Sequence, residues 1–224
     1  MLDTITIFNS NPDLISSDKK SGAGQFSEVY LTPCGKYAIK HGNHGFADGW
    51  LLFAAKLLSM PEDERPWWAP TIHILRVDMD TGRFTALVRA YEHDKDGPTA
   101  SGDVSDLMRV IEKGLPDLNE DEEYNEKYDD EYELLIEAHN FDNAPVECVE
   151  FLSAIEIETG VPLYYDMPGN SMWDATTERM VLNDPCCVKR WAAAKKDFRY
   201  KEKFWNFIYR CADTAPDMQL RGYR

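Results

Sequence analysis

Residues 21–40, SGAGQFSEVYLTPCGKYAIK, constrain the fold of this chain more than any other stretch, because they set two phosphate-compatible features into one predicted β-hairpin. Gly22 and Gly24 carry no Cβ and let the backbone approach an anion closely. Phe26, Val29 and Tyr30 have the aromatic and β-branched character of a strand, and Pro33 with Gly35 marks a turn. The second strand, Tyr37-Ala38-Ile39-Lys40, then ends on a cation. A dinucleotide-binding fold requires its glycines to open a helix, with an acidic residue further on. Here they lead straight into a strand, which argues against that fold. A hairpin without a ligand is the plain alternative, and the A-I-K ending makes it the weaker one.

With 224 residues and 43% apolar content the chain can bury a full core, as one domain or two small lobes. Its 24 Lys and Arg against 40 Asp and Glu leave a net charge of -16. Contact with bare duplex nucleic acid needs clustered cations, so direct nucleic-acid binding is disfavoured and basic partners are favoured. The cysteines, Cys34, Cys148, Cys186, Cys187 and Cys211, are odd in number and contain no C-x-x-C pair. They read as reduced thiols of a cytosolic protein without a zinc site. His41, His44, His73, His93 and His139 show no metal-ligand spacing and receive no catalytic part. The opening residues, MLDTITIFNSNPD, lack a basic and apolar leader, and no run reaches membrane-spanning length, so a soluble, unexported protein is expected.

In order along the chain, residues 5–8 read as a short strand or helix followed by loop to about residue 20. Residues 50–60, WLLFAAKLLSM, predict a helix. The loop PEDERPWWAP leads to a strand over 71–78, a turn at Asp80-Thr81-Gly82, and a partner strand over 83–91 in which Phe84, Ala86 and Val88 alternate with Thr85 and Leu87. Two hairpins flanking one helix compose an N-terminal lobe. Residues 94–103 are linker-like, and 104–114 predict a helix capped by Ser101 or Asp103. Residues 117–133 hold ten acidic side chains and one lysine, net -9, with Tyr124, Tyr128 and Tyr132 four apart on one helix face. A solvated face or flexible insertion is the plain reading. The sharper reading is a surface that docks a basic protein or imitates a nucleic-acid backbone. Residues 144–159 predict another helix, with an apolar stripe of Val146, Val149, Phe151, Leu152 and Ile155, ended by Gly160.

Residues 163–185, LYYDMPGNSMWDATTERMVLNDP, bring an acid and an amide, Asp166 and Asn170, in a Pro-Gly turn. Short strands over 171–173 and 179–182 follow, then Asp184. Taken singly these are turn residues. Their order matches what phosphoryl transfer to a hydroxyl requires: one carboxylate for the hydroxyl proton, and an Asn and an Asp to hold Mg2+, a hard, oxygen-seeking ion, against a triphosphate.

G-A-G-Q-F-S-E-V-Y with Y-A-I-K follows the order of the protein-kinase glycine-rich loop and its lysine. Together with Y-D-M-P-G-N-S-M and V-L-N-D-P, it resembles the early serine/threonine protein kinases of T7-like bacteriophages. These segments span about residues 20 to 186, although the middle is similar only in element order. The resemblance implies an α+β, two-lobed protein-kinase-like fold, with an N-lobe over 1–93 and a reduced, mainly helical C-lobe over 94–224. It implies ATP and Mg2+ as cofactors, Asp166 and Lys40 as catalytic residues, and Asn170 and Asp184 on the metal. Nucleotide contacts would come from Gly22, Gly24, Phe26, Ser27, Val29, Ala38 and Lys40, with Arg89 and Tyr91 at a hinge over 89–93. Host proteins would be the substrates or targets, in the cytoplasm of the infected bacterium.

Three features depart from that pattern. Asp166 and Asn170 are four residues apart where the pattern has five. The helix over 50–60 has no Glu to pair with Lys40, so Asp48 or a carboxylate from elsewhere must serve. Only 39 residues follow Pro185, and they predict one amphipathic helix over 191–209 with Trp191, Phe198, Phe204, Trp205 and Ile208 buried. The family's longer basic C-terminal region is absent, and its transcription shut-off activity is not carried over. Two further readings therefore stand beside the protein kinase: an inactive kinase fold that binds a host protein through its acidic segment, and a phosphotransferase acting on a small molecule.

Overall fold

The computed structural model describes residue 8 and residues 20–23, 26–43, 45–91, 144–165, 170–174, 176–177, 179–189 and 198–222. The first half of the chain contains β1 (Lys20–Ala23), β2 (Ser27–Leu31), β3 (Tyr37–Gly42), α1 (Trp50–Ser59), β4 (Ile72–Asp78) and β5 (Phe84–Arg89). The second half contains α2 (Ala144–Thr159), β6 (Leu163–Tyr165), β7 (Ser171–Asp174), β8 (Arg179–Leu182), β9 (Cys186–Val188), α3 (Phe198–Thr214) and β10 (Met218–Arg221). The architecture is α+β. The predicted helix over 104–114 and the acidic stretch 117–133 lie outside the described residues.

The expected hairpin is the start of a six-stranded sheet with the order β1-β2-β3-β5-β4-β10. β1 was not expected: it runs through Gly22, which pairs with Val29 of β2. The β2–β3 register sets Ser27 opposite Gly42, Val29 opposite Lys40 and Leu31 opposite Ala38. The β3–β5 register sets Phe84, Ala86 and Val88 opposite Gly42, Lys40 and Ala38. Directly opposed residues share a face, so Ser27, Val29, Ala38, Lys40, Phe84, Ala86 and Val88 all look toward the helices.

α1 is apolar around nearly its whole circumference, the signature of a buried helix. Eight of its ten residues are buried, from Trp50 to Leu58. It packs against α2, α3 and the sheet. Phe53, Trp68 and Phe151 meet as a mutually stacked and edge-on cluster, and the Trp68 indole N–H donates to Glu147 at 2.9 Å. On the reverse face of the sheet, Phe8 is buried with Ile39, Ile74 and Leu87.

Sequence and structure differ most at the C-terminus. The helix expected over 191–209 is described at Phe198–Thr214 and runs past its expected end, with Trp205 half-buried rather than buried; residues 191–197 lie outside the described set. Phe204 and Ile208 are buried as expected, joined by Phe207 and Cys211. β10 has no counterpart in the sequence reading. It returns to the N-terminal sheet parallel to β4, from Met218 opposite Leu75 to Arg221 opposite Asp78, and Arg76 Nε donates to Gln219 Oε1 at 2.9 Å. The β6–β9 pair was also unforeseen, whereas the β7–β8 hairpin was expected.

At Gly42 the Phe84 ring fills the space a side chain would need: a Cβ there would lie 1.9 Å from Phe84 Cε1. Phe84 cannot retreat freely, because it stacks on Trp50 with centroids 5.1 Å apart. Gly42→Ala is therefore expected to cost about 1–3 kcal/mol through overpacking. Urea unfolding of the variant, alone and combined with Phe84→Leu, checks this; the second change should recover part of the loss.

Candidate functional site

The site is built around a lysine that is almost out of water. Lys40, in the centre of β3, is 3% exposed, and its ammonium bonds Asp184 Oδ2 at 2.6 Å. The two residues are 144 positions apart. Lys40 Nζ also sits 4.4 Å from the centroid of the Trp50 ring, within cation–π range. The sequence-predicted cation and the second acidic residue thus meet directly.

Trp50 ties the two halves together. Its indole N–H donates to the Asn183 carbonyl at 2.9 Å, one residue before Asp184. Its backbone N–H donates to Asp48 Oδ1 at 3.1 Å. Gly49 lets the start of α1 press against β9: a Cβ there would lie 2.8 Å from the Cys187 Cα. That approach brings the Asp184 turn and the Asp48 turn to the same lysine. Asn170 joins the group through its backbone, whose carbonyl accepts the Asn183 N–H at 3.0 Å.

Asp48 is the second acidic group at this point. It is 2% exposed. Burial pushes its carboxyl up to about 7; the Lys40 ammonium works against that rise, Asp184 adds to it, and the Trp50 N–H opposes it. One ammonium thus faces two carboxylates. No acidic residue lies in α1, so the direct partner of Lys40 is Asp184, the carboxylate from elsewhere.

The elevated Asp48 pKa has a consequence for stability. The folded state holds the Asp48 proton more tightly than the unfolded chain, whose carboxyl titrates at the ordinary value of about 3.8. That contribution is full below about pH 4 and is lost as pH rises through about 7. Lys40, Asp184 and the Cys186 thiol are the ionisable groups coupled to it. Asp48→Asn is expected to flatten the fall in melting temperature between pH 5 and pH 8, a scan that thermal unfolding reads directly.

The remaining predicted residues divide between this site and its frame. Val29 and Ala38 lie on the Lys40 face of the sheet, with Ser27 buried opposite Gly42. Gly22 sits in β1, and the Phe26 carbonyl accepts the Asn43 N–H at 2.9 Å. Gly24 and Asp166 lie outside the described residues. Arg89 and Tyr91, expected at a hinge, are engaged in the frame. Arg89 pairs with buried Asp174 at 3.0 Å, and the Tyr91 hydroxyl accepts the Thr71 N–H at 2.7 Å. The backbone amides of Arg89 and Ala90 bond to Thr71 and Lys36 carbonyls, so neither is left to meet a base edge. Burial acts to raise the Asp174 carboxyl, but the Thr177 and Thr176 hydrogen bonds and Arg89 outweigh it, and the net position is below the usual range.

The Asp184 carboxylate and the Asn170 amide are hard oxygen donors of the kind that suits Mg2+, which keeps several waters and takes few protein ligands, and the Asn183–Asn170 backbone hydrogen bond brings their segments together. The Asp184 side chain is 28% exposed and can turn toward solvent. No cluster of three or more His, Cys, Asp or Glu fit for a metal occurs among the described residues. Burial pushes the Cys186 and Cys148 thiols well above their ordinary range, so these two pack as neutral groups.

Asp48 was offered by the sequence as a partner for Lys40, whereas Trp50 and Phe84 were not singled out as site residues. The available signals were a tryptophan opening an otherwise mainly aliphatic helix and an Asp-Gly pair just before it.

No protein-family model matches the chain, and no curated protein is significantly similar to it. Among solved structures, a GDP and kanamycin complex of APH(2")-IIIa is 12% identical, with 94% of this chain and 89% of that one covered, at a TM-score of 0.35. A GDP complex of a point mutant of aminoglycoside 2'-phosphotransferase-IIIa is also 12% identical, covering 95% and 84%, at a TM-score of 0.35.

Proposed function

We propose that the chain is an ATP- and Mg2+-dependent kinase of two-lobed protein-kinase-like fold, transferring the γ-phosphoryl group to Ser or Thr hydroxyls of host proteins during phage infection. The observation that carries this reading is the Lys40–Asp184 contact at 2.6 Å, which joins the two motif-bearing segments across 144 residues. A structural hairpin lysine has no need of a buried position on a ring and a distant carboxylate.

In this reading Val29 and Ala38 line the base side of the nucleotide, and Lys40 pairs the α/β-phosphates. Asp184 and Asn170 hold Mg2+, which neutralises charge on the phosphate oxygens. Asp166 accepts the acceptor hydroxyl's proton as the oxygen–phosphorus bond forms and the β–γ bridging bond breaks, releasing ADP.

Labelled γ-phosphate from ATP tests the reading, offered with Mg2+ to bacterial lysate and to the chain alone. Labelled proteins that vanish in Asp166→Ala and Lys40→Ala variants support it. Label on a sugar or antibiotic and none on protein would move the acceptor to a small molecule. No transfer by a folded chain would favour the inactive, host-binding alternative, which rests on the four-residue spacing of Asp166 and Asn170 and on the helix over 50–60 that lacks a Glu.

A further inference from the structure

The six-stranded sheet has two edges, and they are built differently. At one, the β1–β2 register shifts between Lys20 and Gly22; such an irregularity and an edge lysine both discourage a further strand from adding. At the other, β10 pairs with β4 without interruption, from Met218 opposite Leu75 to Arg221 opposite Asp78. No strand among the described residues lies beyond it. The Leu75 N–H donates to the Asp217 carbonyl at 3.0 Å and the Met79 N–H to the Arg221 carbonyl at 2.7 Å. Alternate residues of a parallel ladder turn to the neighbouring strand, so Asp217, Gln219 and Arg221 are spent on β4. Met218 donates its N–H to the Ala215 carbonyl at 3.1 Å. The Leu220 N–H and C=O and the Met218 C=O therefore face outward, and backbone groups of this kind seek partners.

The charges on this edge decide which strand fits it. Asp217 and Arg221, both exposed, stand on either side of Gln219 at equal spacing. In an antiparallel pair of identical strands centred on Gln219, Asp217 of each copy lies opposite Arg221 of the other, and opposite charges facing across strands attract. The same register sets Leu220 opposite Met218, so that each Leu220 N–H meets the second copy's Met218 carbonyl. Charges and hydrogen bonds are thus complementary to their own image, as a two-fold interface requires. We propose that this edge binds a second copy of the chain: β10 pairs antiparallel with β10 about a two-fold axis at Gln219, joining two six-stranded sheets edge to edge. β4 and β5 separate β10 from the strand of Lys40, so the association stands independently of the phosphoryl-transfer reading.

Sedimentation equilibrium of the full chain between about 1 and 100 µM reads the association. The mass should rise from that of one chain toward twice that value. Leu220→Pro removes the outward N–H without costing a bond to β4, at an edge position of the kind where proline is tolerated. It should weaken the dimer by about tenfold or more. Arg221→Asp sets acid against acid and should weaken it by a similar factor, while combining it with Asp217→Arg swaps the charges and should restore the dimer. Amide exchange needs no variant: the wild-type Leu220 N–H should exchange more slowly at the high end of the concentration range than at the low end. A wild-type chain that keeps the mass of one copy throughout would overturn the proposal. So would a dimer indifferent to both single variants, one that the charge swap fails to restore, or a Leu220 amide equally fast at both ends.

Discussion

Lys40→Ala is expected to reduce phosphoryl transfer by on the order of 10²–10³-fold, the loss typical of removing one preorganised electrostatic contact to a transition state. The chain should remain folded. Asp184, at 28% exposure, can turn to water when its partner is removed, and Asp48 can bind a proton. The truncation also removes the alkyl stem that packs beside Trp50, so some stability is lost with the activity. Lys40→Met separates the two effects: it keeps most of the apolar volume and removes the charge. Single-turnover transfer rates together with urea midpoints should show a small change in stability and a large one in rate. Equal activity of wild type and both variants would remove Lys40 from the reaction.

Trp50→Ala is expected to be the most damaging single change to the fold, about 3–5 kcal/mol for an aromatic core truncation. The ring is fully buried and stacked on Phe84, and its N–H satisfies the Asn183 carbonyl. Losing it opens a cavity between sheet and helix and orphans that carbonyl. It also takes away the surface on which Lys40 rests. Trp50→Phe keeps much of the stacking and loses the N–H, so its cost should be smaller, about 1–3 kcal/mol. Chemical denaturation of both variants orders them; a Trp50→Phe cost as large as that of Trp50→Ala would show that the hydrogen bond, and not the packing, dominates.

The parts of this molecule legible in its sequence are those in which local pattern and tertiary environment agree. β4 and β5 read as strands because both sheet faces are packed and their apolar runs are nearly continuous, with Phe84, Ala86 and Val88 on one side and Leu87 on the other. α1 declares itself by nine consecutive residues of helix-forming or apolar type, Trp50 to Leu58. β10 does not: MQLR is short and polar, and it becomes a strand only because the end of α3 delivers it beside β4. β1 was hidden by its glycine, which reads as a turn until a partner strand supplies hydrogen bonds to it.

The site divides along the same line. Lys40, Asn170 and Asp184 stand out in one dimension because their residue types and order are those that the proposed phosphoryl transfer asks for. Trp50 and Asp48 belong to the site through contacts that no spacing encodes: an indole N–H reaching a carbonyl 133 residues away, and a carboxylate turned back onto its own helix start. The pairing of Lys40 with Asp184 rather than with a helix carboxylate is another such fact. The missing Glu was visible in the sequence, which left its replacement open between Asp48 and a carboxylate from elsewhere.

Calorimetric titration of the chain with a non-hydrolysable ATP analogue, with and without Mg2+, tests the central claim most directly, with Lys40→Ala alongside. The account predicts saturable one-to-one binding that Mg2+ strengthens and Lys40→Ala weakens. A folded wild-type chain that takes up no analogue, or binds it equally well without Mg2+ and without Lys40, would contradict it.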